Sequence, residues 1–475
     1  MSAQTKFDSN VETRLTASLL QKYSLNIPRY TSYPTAPEWT SEFTKEDFLS
    51  ANEKADKLKA PISLYFHLPF CESQCYFCAC NVVISKKKEI TNPYLEYIEK
   101  EIEIMCRDAP SGRLINKNRL VEQIHLGGGT PTYFSPEELT DLFSVIEKNF
   151  NISENCEIGV EIDPRVTTFD HLEVLSNLGF NRISMGIQDF NSTVQNAVNR
   201  VQSFEDTREI IEYSREIGFM SVNVDLIYGL PYQTKETFAK TVDLILKLNP
   251  DRIALFHYAH LPQLLAHQAK YIPGDSLPSS DVKIEIFQHA VSELTENSYV
   301  FIGLDHFAKP ADELALARKN KTLHRNFQGY TTKSGCDLYG FGITAISNVQ
   351  NTFSQNLKKL NPYYEALDKN ELPLFRGITL NKDDILRREI IMKILCHGIV
   401  DIQEIEEKYN IDFKIYFSSE LEKLKELVSD GLVRILESII FVTDTGQFFL
   451  RNIASVFDYY LNYKNGKERI YSKSV

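Results

Sequence analysis

The sequence predicts an α/β fold: parallel strands with helical crossovers, taken as a partial (β/α) barrel, with a mainly helical, winged-helix-like C-terminal domain. Three observations predict it. Short β-branched or aromatic runs alternate with longer amphipathic stretches between residues 62 and 258. A cysteine-rich segment follows the first of those runs directly, as a loop at a strand's carboxyl end would. Beyond about residue 360 the pattern changes to helices followed by a short hairpin.

The expected strands cover 62–67, 123–126, 157–162, 182–188, 221–227 and 252–258. Helical periodicity fills the gaps at 93–106, 136–149, 169–178, 204–217 and 235–248. The second of these helices opens on Ser135-Pro136-Glu137-Glu138, a capping box with proline at the first helical position. Strands separated by helices must run parallel, and chemistry then gathers at their carboxyl ends. Periodicity alone does not separate an open sheet from a partial or full barrel. The expected organisation is an N-terminal arm over 1–51, a catalytic domain over 52–360 and a C-terminal domain over 361–475. The arm is expected to be irregular and to lie over the main body, with the proline-bearing run Arg29-Tyr30-Thr31-Ser32-Tyr33-Pro34-Thr35 in it. In the last part, helices at 387–398, 401–409 and 419–430 precede a hairpin of 432–436 with 439–443 and a helix over 446–463.

Composition narrows the function. A formal net charge of −12 argues against general nucleic-acid binding, which needs a basic footprint. No apolar run is long enough to span a membrane, and the polar first ten residues lack a signal-peptide core, so a cytoplasmic location is expected. Four of the eight cysteines (Cys71, Cys75, Cys78, Cys80) fall within ten residues, which reads as a metal site in a reducing compartment rather than a disulfide framework.

The spacing Cys71-x3-Cys75-x2-Cys78 lets three thiolates wrap one side of a cubic 4Fe–4S cluster and leaves one iron without a protein ligand. Zinc is the rival, but structural zinc sites use two separated ligand pairs and no second pair lies nearby. Gly127-Gly128-Gly129-Thr130 follows the second strand, where glycines allow a ligand to approach the backbone. Glu161, Gln188, Asp225 and Ala259 fall at or near later strand ends, with Arg200 after a short helix, on the rim where a nucleoside would need hydrogen-bond partners.

The cysteine spacing, with aromatic Phe77 before the third cysteine, is the signature of the radical S-adenosylmethionine superfamily. Nine blocks make the resemblance narrower: 29–36, 65–81, 127–133, 182–200, 225–234, 258–262, 305–310, 324–332 and 342–347. Together they resemble the bacterial oxygen-independent coproporphyrinogen III oxidases from about Leu20 almost to the C-terminus. The resemblance implies a 4Fe–4S cluster on Cys71, Cys75 and Cys78, and S-adenosyl-L-methionine bound at Tyr65, Phe77, Gly128, Gly129, Thr130, Glu161, Gln188, Arg200, Asp225, Ala259 and Ile346. Cys80 matches an additional cysteine that is not a standard cluster ligand. The implied reaction converts two propionates of coproporphyrinogen III to vinyl groups through a 5′-deoxyadenosyl radical, giving protoporphyrinogen IX in haem biosynthesis. A reduced flavodoxin- or ferredoxin-type protein is the implied electron donor, and the enzyme is expected to be a monomer. Because the substrate carries four carboxylates, cations should line its pocket, and Arg29, His260, Lys309, His324 and Arg325 are the candidates.

Three positions depart from the family pattern: Ala79 stands for glycine, Leu126 for tryptophan and His257, expected near the substrate rim, for asparagine. The alternative is a related radical enzyme or haem-trafficking paralogue on the same scaffold. Those relatives generally lack both the cysteine after the third ligand and the Arg-Tyr-Thr-Ser-Tyr-Pro leader, which this chain has. A zinc-binding, non-catalytic module is the third reading.

Overall fold

The computed structural model describes residues 17–106, 115–463, 471 and 473. The six expected strands form, mostly longer than their periodicity: β1 (Ile62–Leu68), β2 (Leu120–Gly128), β3 (Asn151–Ile162), β4 (Arg182–Gln188), β5 (Ser221–Tyr228) and β6 (Arg252–His257). All pair in parallel and in chain order. The helices between them include α3 (Thr91–Cys106), α4 (Pro136–Asn149), α5 (Phe169–Asn177), α6 (Phe204–Glu216) and α7 (Lys235–Leu248). Capping boxes on Ser135, Thr168 and Thr234 fix the starts of three of them, each satisfying two otherwise orphaned backbone donors.

The sheet is larger than its periodicity predicts. β7 (Val300–Gly303) and β8 (His306–Ala308) extend it antiparallel beyond β6. On the other side β9 (Asp337–Phe341) adds a seventh parallel strand against β1, followed by antiparallel β10 (Ile346–Val349), β11 (Thr352–Asn356) and β12 (Leu374–Thr379). The order β12-β11-β10-β9-β1-β2-β3-β4-β5-β6-β8-β7 has two free ends, so the parallel strands form an incomplete barrel. The sheet also runs past residue 360, because β12 belongs to it.

Strand alternation divides the two faces. Ile62, Leu64, Phe66 and Leu68 of β1 are fully buried in the apolar core, with Ile98 and Ile102 of α3. The intervening Ser63, Tyr65 and His67 point the other way, toward Gln123 and His125 of β2. Leu126 lies in the apolar layer and is buried there, so that departure from the family is a core substitution. His257 is also off the rim. It lines a separate cavity of about 140 Å³ with Tyr228 and Lys283, where burial and then the charge of Lys283 push its titration down to about 3.

The N-terminal arm is not irregular throughout: α1 (Ala17–Lys22) and α2 (Lys45–Leu58) form, the latter started by a capping box at Thr44. Its first sixteen residues lie outside the described ones. The tyrosines of the arm's motif are structural. Tyr30 donates to Asp458 Oδ2 at 2.9 Å, and Tyr33 Oη accepts from the Tyr459 N–H at 3.0 Å. The helix expected over 446–463 is broken into Gly446–Phe449, Leu450–Ser455 and Tyr459–Tyr463. Asp458 interrupts it by accepting from Leu461 N–H, which starts a new turn. Elsewhere the C-terminal part has the winged-helix-like layout, with helices packed beside a three-stranded sheet ordered Ile399–Asp401, Ile439–Val442, Val433–Leu436. No helix among the described residues is long and apolar enough to cross a membrane.

One buried carboxylate ties β9 and β11 to α3. Glu101, 3% exposed, accepts from the Gly342 N–H at 2.7 Å, Tyr363 Oη at 2.6 Å and Asn356 Nδ2 at 2.7 Å. Burial pushes its carboxyl up to about 7, against the three donors that favour the ion. Removing it leaves those donors unpaired in the core, so Glu101→Ala is expected to lower stability by about 3 kcal/mol or more, read from the urea unfolding midpoint.

Candidate active site

The cysteine loop leaves β1 and is held by backbone contacts on two sides. Gly129 N–H donates to Leu68 O at 2.9 Å and Thr130 N–H to Phe70 O at 3.0 Å, so the loop and the glycine turn share one hydrogen-bonded seam. Farther along, Tyr76 N–H donates to Val198 O at 2.9 Å and stacks on Tyr271 with centroids 4.2 Å apart. His267 Nε2 lies 2.8 Å from Cys78 O, and the fully buried Gln268 donates to Phe77 O at 3.1 Å and Ala259 O at 3.2 Å. The segment after β6 therefore clamps a loop that begins at β1.

The thiols sit in distinct environments. Cys71 Sγ is 3.4 Å from Thr130 Oγ1, and burial pushes its thiol up to about 11. Arg165 Nη2 and Arg200 Nη1 approach Cys75 Sγ at 3.5 and 3.6 Å, placing two cations beside a sulfur. The contact with Cys80 lowers Cys78 to about 7 and raises Cys80 well above its ordinary value. Asp163 bonds both arginines, at 2.6 Å to Arg165 and 3.1 Å to Arg200.

The glycine turn is shaped by close contacts. Gly128 has φ +115°, and a Cβ there would fall 2.6 Å from the His67 ring. A Cβ on Gly129 would fall 2.6 Å from the backbone carbon of Pro69. Gly128 N–H donates to Glu161 Oε2 at 3.0 Å, and His125 Nε2 lies 3.3 Å from Glu161 Oε1. Burial opposes ionisation of Glu161, but these contacts outweigh it and hold its carboxyl below the usual range. Asp225 goes the other way: burial pushes it up to about 7. Gln188 ends β4 at φ +70°, a left-handed conformation that is rare for a side-chain-bearing residue and collects at functional sites. Its buried Oε1, and the Nε of Arg200, have no hydrogen-bond partner among the described residues.

Cys71, Cys75, Phe77, Cys78, Cys80, Gly128, Gly129, Thr130, Glu161, Gln188, Arg200 and Asp225 all line one cavity of about 460 Å³. Tyr65 and Ile346 line a second, of about 600 Å³, which shares Cys80, Gly128 and Glu161 with the first. Ala79 lines this second cavity. Ala259 lines neither and contributes its carbonyl to Gln268.

The substrate-pocket candidates are less well placed. Lys309 bonds Asn249 O at 3.0 Å and Asp251 at 3.1 Å, both just before β6. It follows β8, which runs antiparallel to β6, so the chain delivers it to the wrong end of the sheet. His324 faces the C-terminal part, where burial and then the charges of Arg388 and His397 push it down to about 4. Arg29 pairs with Asp305 at 2.9 Å, and His260 Nδ1 lies 3.2 Å from Tyr258 Oη. Arg325 is buried. Asp163, Arg165, His267, Gln268 and the cavity-lining Lys358 escaped the sequence reading, because none belongs to a short spaced motif.

This donor set fits the implied cofactors. Three thiols spread around a cavity, and no three His, Cys, Asp or Glu side chains among the described residues converge as a single metal ion requires. The orphaned Gln188 and Arg200 atoms and the exposed glycine backbone offer polar partners to a nucleoside amino acid. The glycine turn is also testable. Gly129→Ala is expected to cost about 1–3 kcal/mol, because the opposing atoms are backbone and cannot swing away. Gly274→Ala, which meets nothing within 4 Å, should fall within about 0.5 kcal/mol of the unaltered protein in the same urea titration.

Comparison with known proteins places this arrangement. Residues 65–245 match the Radical SAM superfamily model, and residues 380–449 match the HemN C-terminal domain. The oxygen-independent coproporphyrinogen III oxidase of Synechocystis sp. is 47% identical over 463 residues, covering 97% of this chain and 98% of that protein. The Escherichia coli protein of the same name is 44% identical, covering 94% and 96% respectively. The solved structure of coproporphyrinogen III oxidase (HemN) from Escherichia coli, described as a radical SAM enzyme, superposes with a TM-score of 0.87 at 43% identity, covering 92% of this chain and all of that one. With a glycine turn and a three-cysteine loop meeting at the carboxyl ends of an incomplete parallel barrel, and with relatives this close over nearly its whole length, the chain belongs to the oxygen-independent coproporphyrinogen III oxidase family of radical S-adenosylmethionine enzymes.

Proposed function

We propose that this chain oxidatively decarboxylates two propionate side chains of coproporphyrinogen III to vinyl groups without oxygen, giving protoporphyrinogen IX for haem synthesis. One observation carries the reading: the cavity that gathers the three cysteines adjoins a second, larger one, with Cys80, Gly128 and Glu161 lining both. Two adjoining compartments are what a cofactor and a bulky substrate need to meet with their reacting carbons in contact.

In this reading Cys71, Cys75 and Cys78 hold a 4Fe–4S cluster, with Arg165 and Arg200 offsetting its negative charge. Gly128, Gly129 and Thr130 receive the methionyl end of S-adenosylmethionine, while Glu161, Gln188, Arg200 and Asp225 address its nucleoside. Phe77, Tyr65, Ala259 and Ile346 complete the surroundings. Once bound, the cofactors would supply hydrogen-atom abstraction at the β-carbon of a propionate, and its conversion to a vinyl group with loss of carbon dioxide would pass one electron to an acceptor outside the chain. The chain's own part is to position and to exclude water. Lys358 on the wall of the second cavity takes over the role expected of Lys309 and His324. Burial and the charge of Arg376 lower its affinity for a proton, a strain that an incoming carboxylate would relieve.

The electron donor is a reduced flavodoxin- or ferredoxin-type protein and the chain works as a monomer, both on the resemblance alone; a cytoplasmic location rests on the composition. The division of labour among an arm over 1–51, a catalytic body over 52–360 and a C-terminal part over 361–475 rests on the change of sequence pattern near residue 360, with β12 carrying the central sheet past that boundary.

Two measurements test the proposal. After anaerobic reconstitution with reductant and S-adenosylmethionine, 5′-deoxyadenosine should appear only when coproporphyrinogen III is added, with one carbon dioxide released per vinyl group. Formation independent of the porphyrinogen would keep the radical chemistry and remove this substrate. Cys75→Ser should abolish iron and acid-labile sulfide incorporation together with turnover, whereas Cys80→Ser should retain a full cluster. Equal iron in wild type and Cys75→Ser would end the cluster assignment.

A further inference from the structure

A group of buried hydrogen-bonding atoms lies apart from the cysteine loop and the nucleoside end. Arg325 stands in the strand His324–Asn326, paired antiparallel with Gly329–Thr331, and is 6% exposed. Its Nε and Nη1 have no hydrogen-bond partner among the described residues, and the same holds for His306 Nδ1 on β8 and Gln328 Nε2 at the turn of the hairpin. These groups are neighbours. A Cβ on Gly329 would fall 3.8 Å from His306 Nε2. The Tyr330 ring bridges the other two: its centroid is 5.4 Å from that of His306 and 4.9 Å from the Arg325 guanidinium carbon. Gln328 itself lines the larger of the two adjoining cavities, the one assigned to the substrate.

A buried guanidinium with unpaired donors is costly in a finished fold, because the charge has lost water and gained no acceptor. The nearby carboxylate does not relieve it: Asp305 is engaged by Arg29 at 2.9 Å. What remains is one fixed cation flanked by a neutral imidazole and a primary amide, all with hydrogen-bonding capacity to spare. That set matches a single planar anion with two oxygens. A guanidinium binds such a group from one edge, through Nη2 with either Nε or Nη1, by two parallel hydrogen bonds that set its orientation as well as its position.

We propose that Arg325, with His306 and Gln328, forms the cradle for one substrate carboxylate, a propionate held away from the reacting carbon so that the macrocycle is oriented. The inference deepens the substrate reading above and rests on it. Arg325 is a binding residue here, because it touches the substrate at a distance from the reacting atoms.

Equilibrium binding of coproporphyrin III, the stable oxidised form, and of its tetramethyl ester to the reconstituted enzyme tests it. The wild type should prefer the free acid. Arg325→Gln is expected to weaken acid binding by about tenfold while leaving ester affinity unchanged, the loss of one charge-assisted pair. Arg325→Lys should recover part of the preference, since it restores the charge without the fork, and His306→Phe should weaken acid binding less than Arg325→Gln does. In turnover the same loss should appear in KM for coproporphyrinogen III with kcat nearly unchanged. Parallel loss of acid and ester affinity in Arg325→Gln would overturn the cradle and make the residue a support of the fold. Unchanged acid affinity in that variant would overturn it as well. A wild type that bound neither porphyrin would instead count against the substrate reading, and the cradle would fall with it.

Discussion

The structure depends on a polar inner face on a parallel sheet. Parallel sheets covered on both sides are ordinarily apolar on both. Here the outer residues of β1, β2, β3 and β5 are mostly apolar, while Ser63, Tyr65, His67, Gln123, His125, Glu157, Glu161, Asn223 and Asp225 on the inner face are polar or aromatic. Buried polar atoms must find partners. At the amino end they do so within the protein: Ser63 donates to Gln123, Gln123 to Glu157, and Arg182 pairs with Glu157 and Glu313, which also pairs with Arg252. Toward the carboxyl end this self-satisfaction runs out, leaving the Oε1 of Gln188 and the Nε of Arg200 without a partner among the described residues. The gradient from satisfied to unsatisfied defines where ligands complete the fold.

The same constraint explains why the barrel stays incomplete. A closed small barrel fills its interior with side chains. With β12 and β7 at free ends, the interior is instead shared by the hairpin carrying Phe327 and Gln328 and by the cavity those residues line with Leu338, Ile346 and Gln355. Loops, not strands, complete the circuit on the reactive side. The cysteine loop after β1 is gripped by Gln268 and His267 from beyond β6, so strands five places apart in the sheet are joined at the top.

Much of this was legible in the sequence, for physical reasons. The six strands showed because each is short, β-branched and followed by an amphipathic, often capped helix. The cysteines and glycines showed because their chemistry requires fixed spacing along the chain. β9 was missed because it lacks that helical crossover pattern: an antiparallel hairpin precedes it and an antiparallel strand follows. Lys309 was misplaced because antiparallel β8 reverses the direction that β1 to β6 share. His257 was expected near the rim, but strand alternation puts it on the opposite face from Phe256, which packs with Arg29 and His306. Gln268 and Asp163 could not be found at all, since what makes them matter is a contact across space.

Charge gives the two compartments different tasks. The smaller carries Glu161, Asp163 and Asp225 against Arg165 and Arg200, and the two arginines are already drawn toward Asp163 and Cys75. Burial pushes Asp225 toward its neutral form, so ionised Glu161 is the carboxylate left to face a cation, which a sulfonium is. The larger has Lys358 on its wall, which favours carboxylates. Glu161 lies at the seam and is held ionised by the Gly128 N–H and His125. In a water-poor cavity like charges at short range repel strongly. A propionate approaching the seam therefore meets least resistance with its carboxylate turned outward and its ring-side carbon leading. Glu161, which holds the glycine turn through the Gly128 N–H, would thereby also select which end of the substrate side chain reaches the seam.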